Sequence, residues 1–284
     1  MKQGFTFKNR HSSEFGVVVK TKTRPLLPEV KMYISEAPLM DGGYDFTSAN
    51  PFGREFYNDR MMEPTLQITA DNLEELERKA AKIAAWLRGS GDLIFDSAHG
   101  VKWTGRFVSE TAFVPEHRGK TAVVSAVFRA KPIGKATFDT IDGILLGNAV
   151  SLDSDLPLDL SEHFETSLTQ GKSTVRFVNI GDFYVRPVFE FGDTNNITLS
   201  HGDSKIMLED ISGGAIIDLE RCVVTDLSGR SIMNKLQGNF FELPPGVSEL
   251  GIYVTTPCSL KIRYAPQTIY DFDFTDIDWG DGNA

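Results

Sequence analysis

The most regular pattern in the chain is a helical one in its first half. Apolar residues recur there at steps of three and four, the spacing that places side chains on one face of an α-helix: Leu73, Leu76, Ala80, Ile83 and Leu87. Asp71 is suited to cap this helix, Glu74 to complete a capping box, and Gly89 to end it. The pattern predicts one amphipathic helix over 72–88, followed by a strand that starts at Leu93.

Short strands are predicted on both sides of this helix. Segments rich in β-branched and aromatic residues alternate with Gly, Pro and Asp turns; they include 4–7, 16–19, 32–34, 66–69, 101–108 and 121–129. The last of these is apolar on both faces, which predicts a strand covered on both sides. Because a lone helix must bury its apolar stripe on a sheet, we predict an N-terminal domain over 1–138, a β-sandwich or α+β fold.

The second half of the chain has an all-β pattern. Short alternating segments follow one another from residue 173 without a helical period, and Leu250, Ile252 and Val254 share one face of a strand. This predicts a C-terminal β-sandwich over 173–265. Residues 139–172 have no clean period and are interpreted as a linker or arm, and 266–284 as an acidic tail. The predicted fold class is mainly β with one amphipathic helix.

Composition narrows the class of protein. The chain has 284 residues, 41% of them hydrophobic, which is enough for two soluble globular domains. No apolar run is long enough to span a membrane, and the N-terminus lacks the apolar core of a signal peptide. The net charge of −10 argues against a protein built to grip nucleic acid. Much of that charge lies in the tail: Asp271, Asp273, Asp276, Asp278 and Asp281.

Candidate catalytic and metal-binding residues are few. His11 and Ser12 suggest a base and a nucleophile, but adjacent side chains on an extended segment point to opposite faces, and His11-Ser12-Ser13 is therefore interpreted as a turn. The other histidines are scattered, without the spacing of a zinc site: His99, His117, His163 and His201. Gly213-Gly214 lacks the order of a nucleotide-binding loop. No two carboxylates stand out as a glycosidase pair.

Three further features have both a plain and a functional interpretation. The tail segment 276–282 resembles a calcium loop but ends before the twelfth ligand position, so we interpret it as solvated or as an acidic-aromatic segment that docks on a partner. The two cysteines, Cys222 and Cys258, are expected to be buried free thiols, with pairing as the alternative if their strands are neighbours. Arginines and aromatics of the second domain are ordinary surface and core residues or, alternatively, a sugar site: Arg176, Tyr184, Arg186, Arg230, Tyr253 and Arg263. No catalytic, cofactor-binding or metal-binding residue is assigned.

The order of these segments resembles one known family, the distal tail (Dit) proteins of phages with long non-contractile tails. In the first domain the resemblance rests on Phe5-x-Phe7, SSEFGVVV at 12–19, DGGYDF at 41–46, the block 72–96, WTGRFV at 103–108 and FRAKP at 128–132. In the second it rests on RPVFEF at 186–191, IIDLE at 216–220 and LQGNFFELPPG at 236–246. Residues 133–172 and the tail after Tyr264 depart from the family pattern.

The resemblance implies a structural protein. Family members form a hexameric ring at the end of the tail through the N-terminal domain, and their C-terminal domain is a galectin-like sandwich. Implied partners are copies of itself, the major tail tube protein, the tail-associated hub protein and receptor-binding or baseplate proteins, with no cofactor, specific nucleic acid or membrane. The implied location is the virion tail tip.

The alternatives are a carbohydrate-binding adhesion module and, least supported, a wall-degrading enzyme. Free sheet edges at 17–20 and 121–129 are candidates for pairing between neighbouring copies.

Overall fold

The computed structural model describes residues 4–36, 38–39, 41–51, 53–108, 113–138, 140 and 164–272. The chain divides into two compact units, 1–134 and 135–284. In the described ranges it consists of antiparallel strands and one α-helix, so the predicted fold class is confirmed. None of the helices in these ranges is long and apolar enough to cross a membrane.

The first unit contains eleven strands and the α-helix in its described residues. In chain order they are β1 (Phe5–Phe7), β2 (Arg10–His11), β3 (Val17–Thr23), β4 (Ile34–Glu36), β5 (Gly43–Asp45), β6 (Arg60–Thr69), α1 (Leu73–Leu87), β7 (Ser90–Phe95), β8 (Ala98–Phe107), β9 (Pro115–Glu116), β10 (Thr121–Ser125) and β11 (Phe128–Ala130). A short 3-10 helix (Ser12–Phe15) lies between β2 and β3.

Strand β6 connects two sheets of this unit. The strand order is β2-β1-β7-β8-β11-β6-β10-β9, and β3 pairs with β6 as well. At its start, Met62 pairs with Phe128 of β11, whereas further along, Ile68 pairs with Val17 of β3 and Ala122 of β10. All five of these residues are buried. The alternating apolar residues of β6 therefore run through the core of the whole unit.

The segment predicted as one strand over 121–129 is two strands. β10 and β11 are separated by Ala126 and Val127, and the Ala126 N–H donates to the carbonyl of Pro64 (3.0 Å). Val123 is 41% exposed, so the prediction of a strand covered on both sides was wrong. The physical reason is that the chain changes sheet at Ala126, which puts the apolar residues of the two halves in different environments.

The helix is present, but its cap and its buried face differ from the prediction. Asn72, not Asp71, caps it: the Asn72 side chain accepts from the Glu75 N–H (2.9 Å), and the Glu75 carboxylate accepts from the Asp71 N–H (3.0 Å). Leu73 in the first turn is 45% exposed. The residues that the helix buries are Leu76, Ile83 and Trp86. Strand β7 starts at Ser90, because Gly89 has a φ of +86° and reverses the chain at once.

Trp86 fixes the helix to the sheet through an aromatic cluster. Its ring stacks on Phe15 at 4.3 Å and on Phe5 at 5.3 Å between centroids. Its Nε1–H donates to the carbonyl of Phe7 (3.0 Å). Offset-stacked rings with a satisfied indole N–H stabilise a core beyond the burial of area alone. Trp86 thus holds the helix, the 3-10 turn and β1 together.

The second unit contains only strands and short turns in its described residues. They are β12 (Gly134–Ala136), which begins at the last residue of the first unit, β13 (Glu165–Leu168), β14 (Gly171–Asn179), β15 (Val188–Phe191), β16 (Ile197–His201), β17 (Ser204–Leu208), β18 (Ala215–Asp218), β19 (Val223–Thr225), β20 (Leu236–Gly238), β21 (Gly246–Val254), β22 (Cys258–Arg263) and β23 (Gln267–Thr268). A 3-10 turn (Met233–Lys235) precedes β20.

Ten of these strands form a sandwich of two five-stranded antiparallel sheets, β13-β22-β15-β18-β19 and β14-β21-β16-β17-β20, while β12 and β23 pair with each other. Their inner faces share one apolar core, to which Leu250, Ile252 and Val254 contribute as predicted. The Tyr264 side chain lies in this core, and its hydroxyl donates to the Val178 carbonyl (2.8 Å) and accepts from the Ile180 N–H (3.1 Å). The two sheets are thereby joined at one end.

The predicted linker and tail lie partly outside the described residues, which leave out 141–163 and 273–284. The described part of the linker belongs to the sandwich, and the described part of the tail contacts it. Phe164 packs 5.6 Å from the Tyr264 ring, and the strands β13 and β14 begin before residue 173. At the other end the Asp182 carboxylate accepts from the Thr268 hydroxyl (2.8 Å) and from the Ile269 N–H (2.7 Å). The sandwich therefore begins before residue 173, and residues after 265 are hydrogen-bonded to it.

Candidate interaction surfaces

The His11 turn brings together three groups that the sequence did not link. His11 Nδ1 lies 2.6 Å from Ser13 Oγ, and His11 Nε2 lies 3.1 Å from Asp96 Oδ1. Ser12, the residue first considered as a nucleophile, is buried and accepts from the Phe5 N–H (3.3 Å). Asp96 was missed because it is 85 residues away and follows an unrelated strand.

This serine–histidine–aspartate arrangement serves as a cap. His11 Nδ1 also accepts from the Ser13 N–H (3.2 Å), and the Glu14 carboxylate accepts from the His11 N–H (3.0 Å), which together form a capping box. A hydrogen bond from Arg10 is the main reason why the pKa of Glu14 is lowered. When the Nε2–H is donated to Asp96, the neutral ring has one lone pair left, at Nδ1, and Ser13 already hydrogen-bonds to it. The sequence predicted that these residues form a turn, and this geometry agrees with that prediction.

The other candidate residues do not converge. His99 lies in β8, His117 in a turn with a φ of +51°, and His201 in β16, while His163 and the calcium-like segment 276–282 are outside the described residues. In the part of the chain that the structure describes, no three His, Cys, Asp or Glu side chains are grouped to hold a metal ion.

The cysteines are free but less buried than predicted. Cys222 is exposed, and its backbone has a φ of +54°, in the left-handed region of a tight turn after β18. Cys258, in β22, is half-buried; desolvation, with the charge of Asp193 as a smaller contribution, raises the pKa of its thiol. The prediction of buried thiols was therefore wrong for Cys222, because a turn and not a strand carries it.

The six residues considered for a sugar site are spread over the sandwich. Arg176 and Tyr253 lie on β14 and β21 of one sheet, whereas Arg263 lies on β22 of the other. Arg186 forms an ion pair with Glu242. The remaining two, Tyr184 and Arg230, lie in connections between strands. Of the set, only Arg176 and Tyr253 therefore share a sheet face.

The most distinctive surface of the first unit is an exposed apolar segment between β3 and β6, residues 24–58, here called the apolar arm. Nine large apolar side chains are exposed there, by 41% to 109%: Leu26, Leu27, Met32, Tyr33, Ile34, Leu39, Tyr44, Phe46 and Phe56. Strands β4 and β5 form a separate two-stranded hairpin within it, and every residue of both strands is exposed. A cluster of this size on a soluble protein marks an interaction site.

Backbone hydrogen bonds hold the arm in a defined shape. Lys31 N–H donates to the Phe56 carbonyl (2.7 Å) and Phe46 N–H to the Tyr33 carbonyl (2.8 Å). At the base of the hairpin the Asp45 carboxylate accepts from the Thr47 N–H (2.8 Å). Hydrogen bonds from Thr47 lower the pKa of Asp45, and the side chain of Thr47 contributes more than its backbone. The arm therefore presents its apolar side chains on an ordered backbone.

Among the residues that the structure describes, the sheets of the first unit also have unpaired edges. β3 pairs with β6 along one side only, over seven residues that contain no proline. β10 pairs with β6 along its whole length but with the two-residue β9 only at Thr121 and Ala122, which leaves its remaining edge open. Unpaired edges of this kind are templates for pairing with another chain.

Comparison with known proteins gives a fold but no close relative. The SPP1 Dit protein, described as a paradigm of the hub adsorption apparatus in phages that infect Gram-positive bacteria, matches with a TM-score of 0.67 at 13% identity, over 93% of this chain and 98% of that chain. Two structures of the phage p2 baseplate in its activated conformation, with Sr and with Ca, match with TM-scores of 0.41 and 0.38 at 9% identity, over 92% and 93% of this chain and 98% of each. No family model and no curated protein matches. The chain has a Dit-like fold, as its sequence resemblance predicted.

Proposed function

We propose that this chain is the ring-forming hub subunit of a phage or prophage tail tip, and that six copies close into a hexamer joining the tail tube to the adsorption apparatus. The observation that carries the proposal is the likeness to the SPP1 Dit protein, which extends through both units of the chain. The fold by itself leaves function open. The surfaces of the first unit supply the physical argument.

The apolar arm supports self-association. Nine exposed large apolar side chains on an ordered backbone are costly for an isolated chain, because each of them keeps apolar area in contact with water. A second copy of the same chain is the partner that is present whenever the protein is made. We infer that the arm of one copy packs on the first unit of the next.

The free edges favour a ring. β3 on one side of the sheet and β10 with β9 on the other are different strands, so an edge-to-edge contact between copies joins unlike surfaces. Such heterologous contacts produce closed rings when their rotation closes. Main-chain pairing along these edges would add direction to the apolar contact of the arm.

The remaining partners and properties are proposals by the same likeness. They are the major tail tube protein, a tail-associated hub protein and receptor-binding or baseplate proteins. The galectin-like character of the second unit also stays a prediction, as does its domain range.

Ring formation can be tested with the purified full chain by size-exclusion chromatography with light scattering and by negative-stain microscopy. We expect six-membered rings, alone or with the neighbouring tail proteins added. The double variant Leu26→Glu/Leu27→Glu places two charges on side chains that are 66% and 63% exposed, and it should abolish the rings while leaving a folded monomer. Leu227→Glu, a 47% exposed residue of the second unit, is the matched control. A tail-tip reconstruction that places the chain outside a six-fold ring would contradict the proposal.

The proposal includes no catalytic activity. This expectation can be measured directly, because the His11–Ser13–Asp96 cluster contains the residue types of a hydrolase. In a zymogram on bacterial cell walls we expect no clearing from the wild-type chain. Clearing that disappears in Ser13→Ala would show a reactive serine and refute the capping interpretation.

A further inference from the structure

The apolar arm begins with a short loop that has few backbone donors. Strand β3 ends at Thr23, and Pro28 is buried, so the loop between them has two fixed ends. Pro25 and Pro28 have no N–H with which to join a backbone ladder. Leu26 and Leu27 are 66% and 63% exposed, and burial therefore does little to fix them. The position of these two leucines depends on what holds the backbone at Pro25.

Arg60, the first residue of β6, holds this backbone from the other end of the arm. Its Nη1–H donates to the Pro25 carbonyl (2.9 Å), which lies 35 positions earlier in the chain. The arm ends at residue 58, so the hydrogen bond connects the strand that follows the arm to the residue just before Leu26.

The Arg60 side chain is a buried cation. It is 2% exposed, and its guanidinium carbon lies 4.8 Å from the centroid of the fully buried Trp103 ring in β8. A buried charge is costly unless other groups compensate for its lost hydration. The planar guanidinium can stack on an indole ring and donate a hydrogen bond at its edge at the same time. Arg60 thereby ties Pro25 to the core of the first unit.

A second arginine at the same end of the arm serves as a comparison. Arg129 of β11 lies opposite Met61, the next residue of β6, and forms an ion pair with Asp59 (2.7 Å). Its side chain is 55% exposed, and ion pairs of this kind contribute little to stability. Of the two arginines, Arg60 is the one that is buried and that donates to the arm.

We propose that Arg60 is a positioning residue of the arm, which fixes Leu26 and Leu27, through the Pro25 carbonyl, in the place where they contact the next copy of the chain. The inference rests on the proposed self-association for what the leucines contact, and on the hydrogen bond and the stacked ring for how they are held. Apolar side chains on a fixed backbone lose less conformational freedom on binding than those on a loose loop. Arg60 therefore favours association although it is itself buried.

A double-mutant cycle on the self-association of the full chain tests this role. Sedimentation velocity over a concentration series measures the dissociation constant of each variant. Arg60→Met should weaken association by about tenfold, because a hydrogen bond from a charged donor is lost. In the Leu26→Ala/Leu27→Ala background the same substitution should have almost no further effect, because Arg60 acts through these leucines. An equal loss in both backgrounds, or no loss in either, would overturn the proposal.

The position of the loop can be measured separately from association. Nitroxide labels on Leu27→Cys and on Glu77→Cys of the helix report one distance, in a chain whose native cysteines are replaced by serine and which is diluted with unlabelled chain. Arg60→Met should broaden the distance distribution by roughly 3 Å or more, because the loop is then held only at its ends. An unchanged width would overturn the proposal. If the wild-type chain forms no rings, the proposed function fails, whereas a broadened distribution still supports Arg60 as the residue that fixes the loop.

Two further variants separate positioning from general damage to the unit. Arg129→Met removes the exposed cation and should leave both the dissociation constant and the distance distribution as in the wild type. Arg60→Lys keeps the charge but not the plane, and it should change both in the same direction as Arg60→Met by a smaller amount. Thermal unfolding shows which variants are folded, and Arg60→Lys carries both tests if Arg60→Met is not. Equal changes in Arg129→Met and the Arg60 variants would rule out a specific role for Arg60.

Discussion

The two units of the chain treat their apolar residues in opposite ways. Among the described residues, twenty large apolar side chains are exposed, and fifteen of them belong to the first unit, nine of these to the apolar arm. In its described residues the second unit exposes five, and most of its other apolar side chains are buried or half-buried at one core between two sheets. A unit that satisfies its own apolar surface is stable without help, whereas one that does not is built for association. The comparison therefore supports the proposal that the first unit carries the surfaces for self-association.

The distribution of charge adds to this difference. Residues 1–134 carry 19 basic and 16 acidic residues, and residues 135–284 carry 10 and 23. Two segments without any lysine or arginine, 139–163 and 273–284, contain six and four carboxylates, which equals the net charge of −10. The tail thus holds the smaller share of the excess charge. The remainder of the chain is electrically neutral, so the acidic balance says little about the surfaces that the units present.

The largest expected effect tests whether the units are energetically separate. Trp86→Ala in the first unit removes a side chain that stacks on two rings and donates a buried hydrogen bond, and Phe189→Ala in the second removes a fully buried ring. Each should cost about 3 to 5 kcal/mol in the free energy of unfolding. In differential scanning calorimetry we expect each substitution to lower one transition and leave the other in place. A single transition that moves equally in both variants would contradict the comparison.

A smaller effect is expected where one hydroxyl joins the two sheets of the second unit. Tyr264→Phe leaves the Val178 carbonyl and the Ile180 N–H without their partner inside the core and should cost about 1 to 3 kcal/mol. Tyr253→Phe, an exposed tyrosine of the same unit, should cost almost nothing.

The same tyrosine gives a pH dependence. Burial raises the pKa of Tyr264 above its ordinary value of 10.0. Its folded-state preference for the protonated form is fully present below pH 10 and is lost as the pH rises above that value, by up to about 1.4 kcal/mol per pH unit. Between pH 9 and 11.5 the free energy of unfolding of the second unit should therefore fall more steeply with pH for the wild type than for Tyr264→Phe. Equal slopes would mean that the phenol ionises as freely in the folded chain as in the unfolded one.

The sequence pattern predicted the second unit better than the first for a physical reason. In the sandwich, each strand buries alternate residues, so local periodicity alone identifies Leu250, Ile252 and Val254 as core. In the first unit, the buried face of the helix is determined by Phe5 and Phe15, which contact Trp86 from a distant segment. The prediction therefore placed Leu73 in the stripe and overlooked Trp86.

The surfaces show the same limit. The strand predicted at 32–34 overlaps β4 only at Ile34, and no pattern in the sequence says that the hairpin lies outside the larger sheet and exposes its apolar residues. In the second unit, Tyr253 and Lys172 lie directly opposite each other through the pairing of β14 with β21, although they are far apart in the sequence. Register between distant strands depends on tertiary contacts that a single sequence does not display.

The smallest expected effect concerns one buried hydroxyl in the core of the second unit. Ser248 points into the core of the sandwich, 4% exposed, and its Oγ is buried without a hydrogen-bond partner among the described residues. Because a buried hydroxyl that makes no hydrogen bond still loses its hydration, Ser248→Ala should raise the free energy of unfolding by about 0.5 to 1 kcal/mol. Ser200→Ala, which loses a hydrogen bond to Gly251, should lower it slightly. Chemical denaturation of the two variants measures both signs. A loss of stability in Ser248→Ala would show that the hydroxyl is hydrogen-bonded after all, and that the second unit is even more self-sufficient than its core suggests.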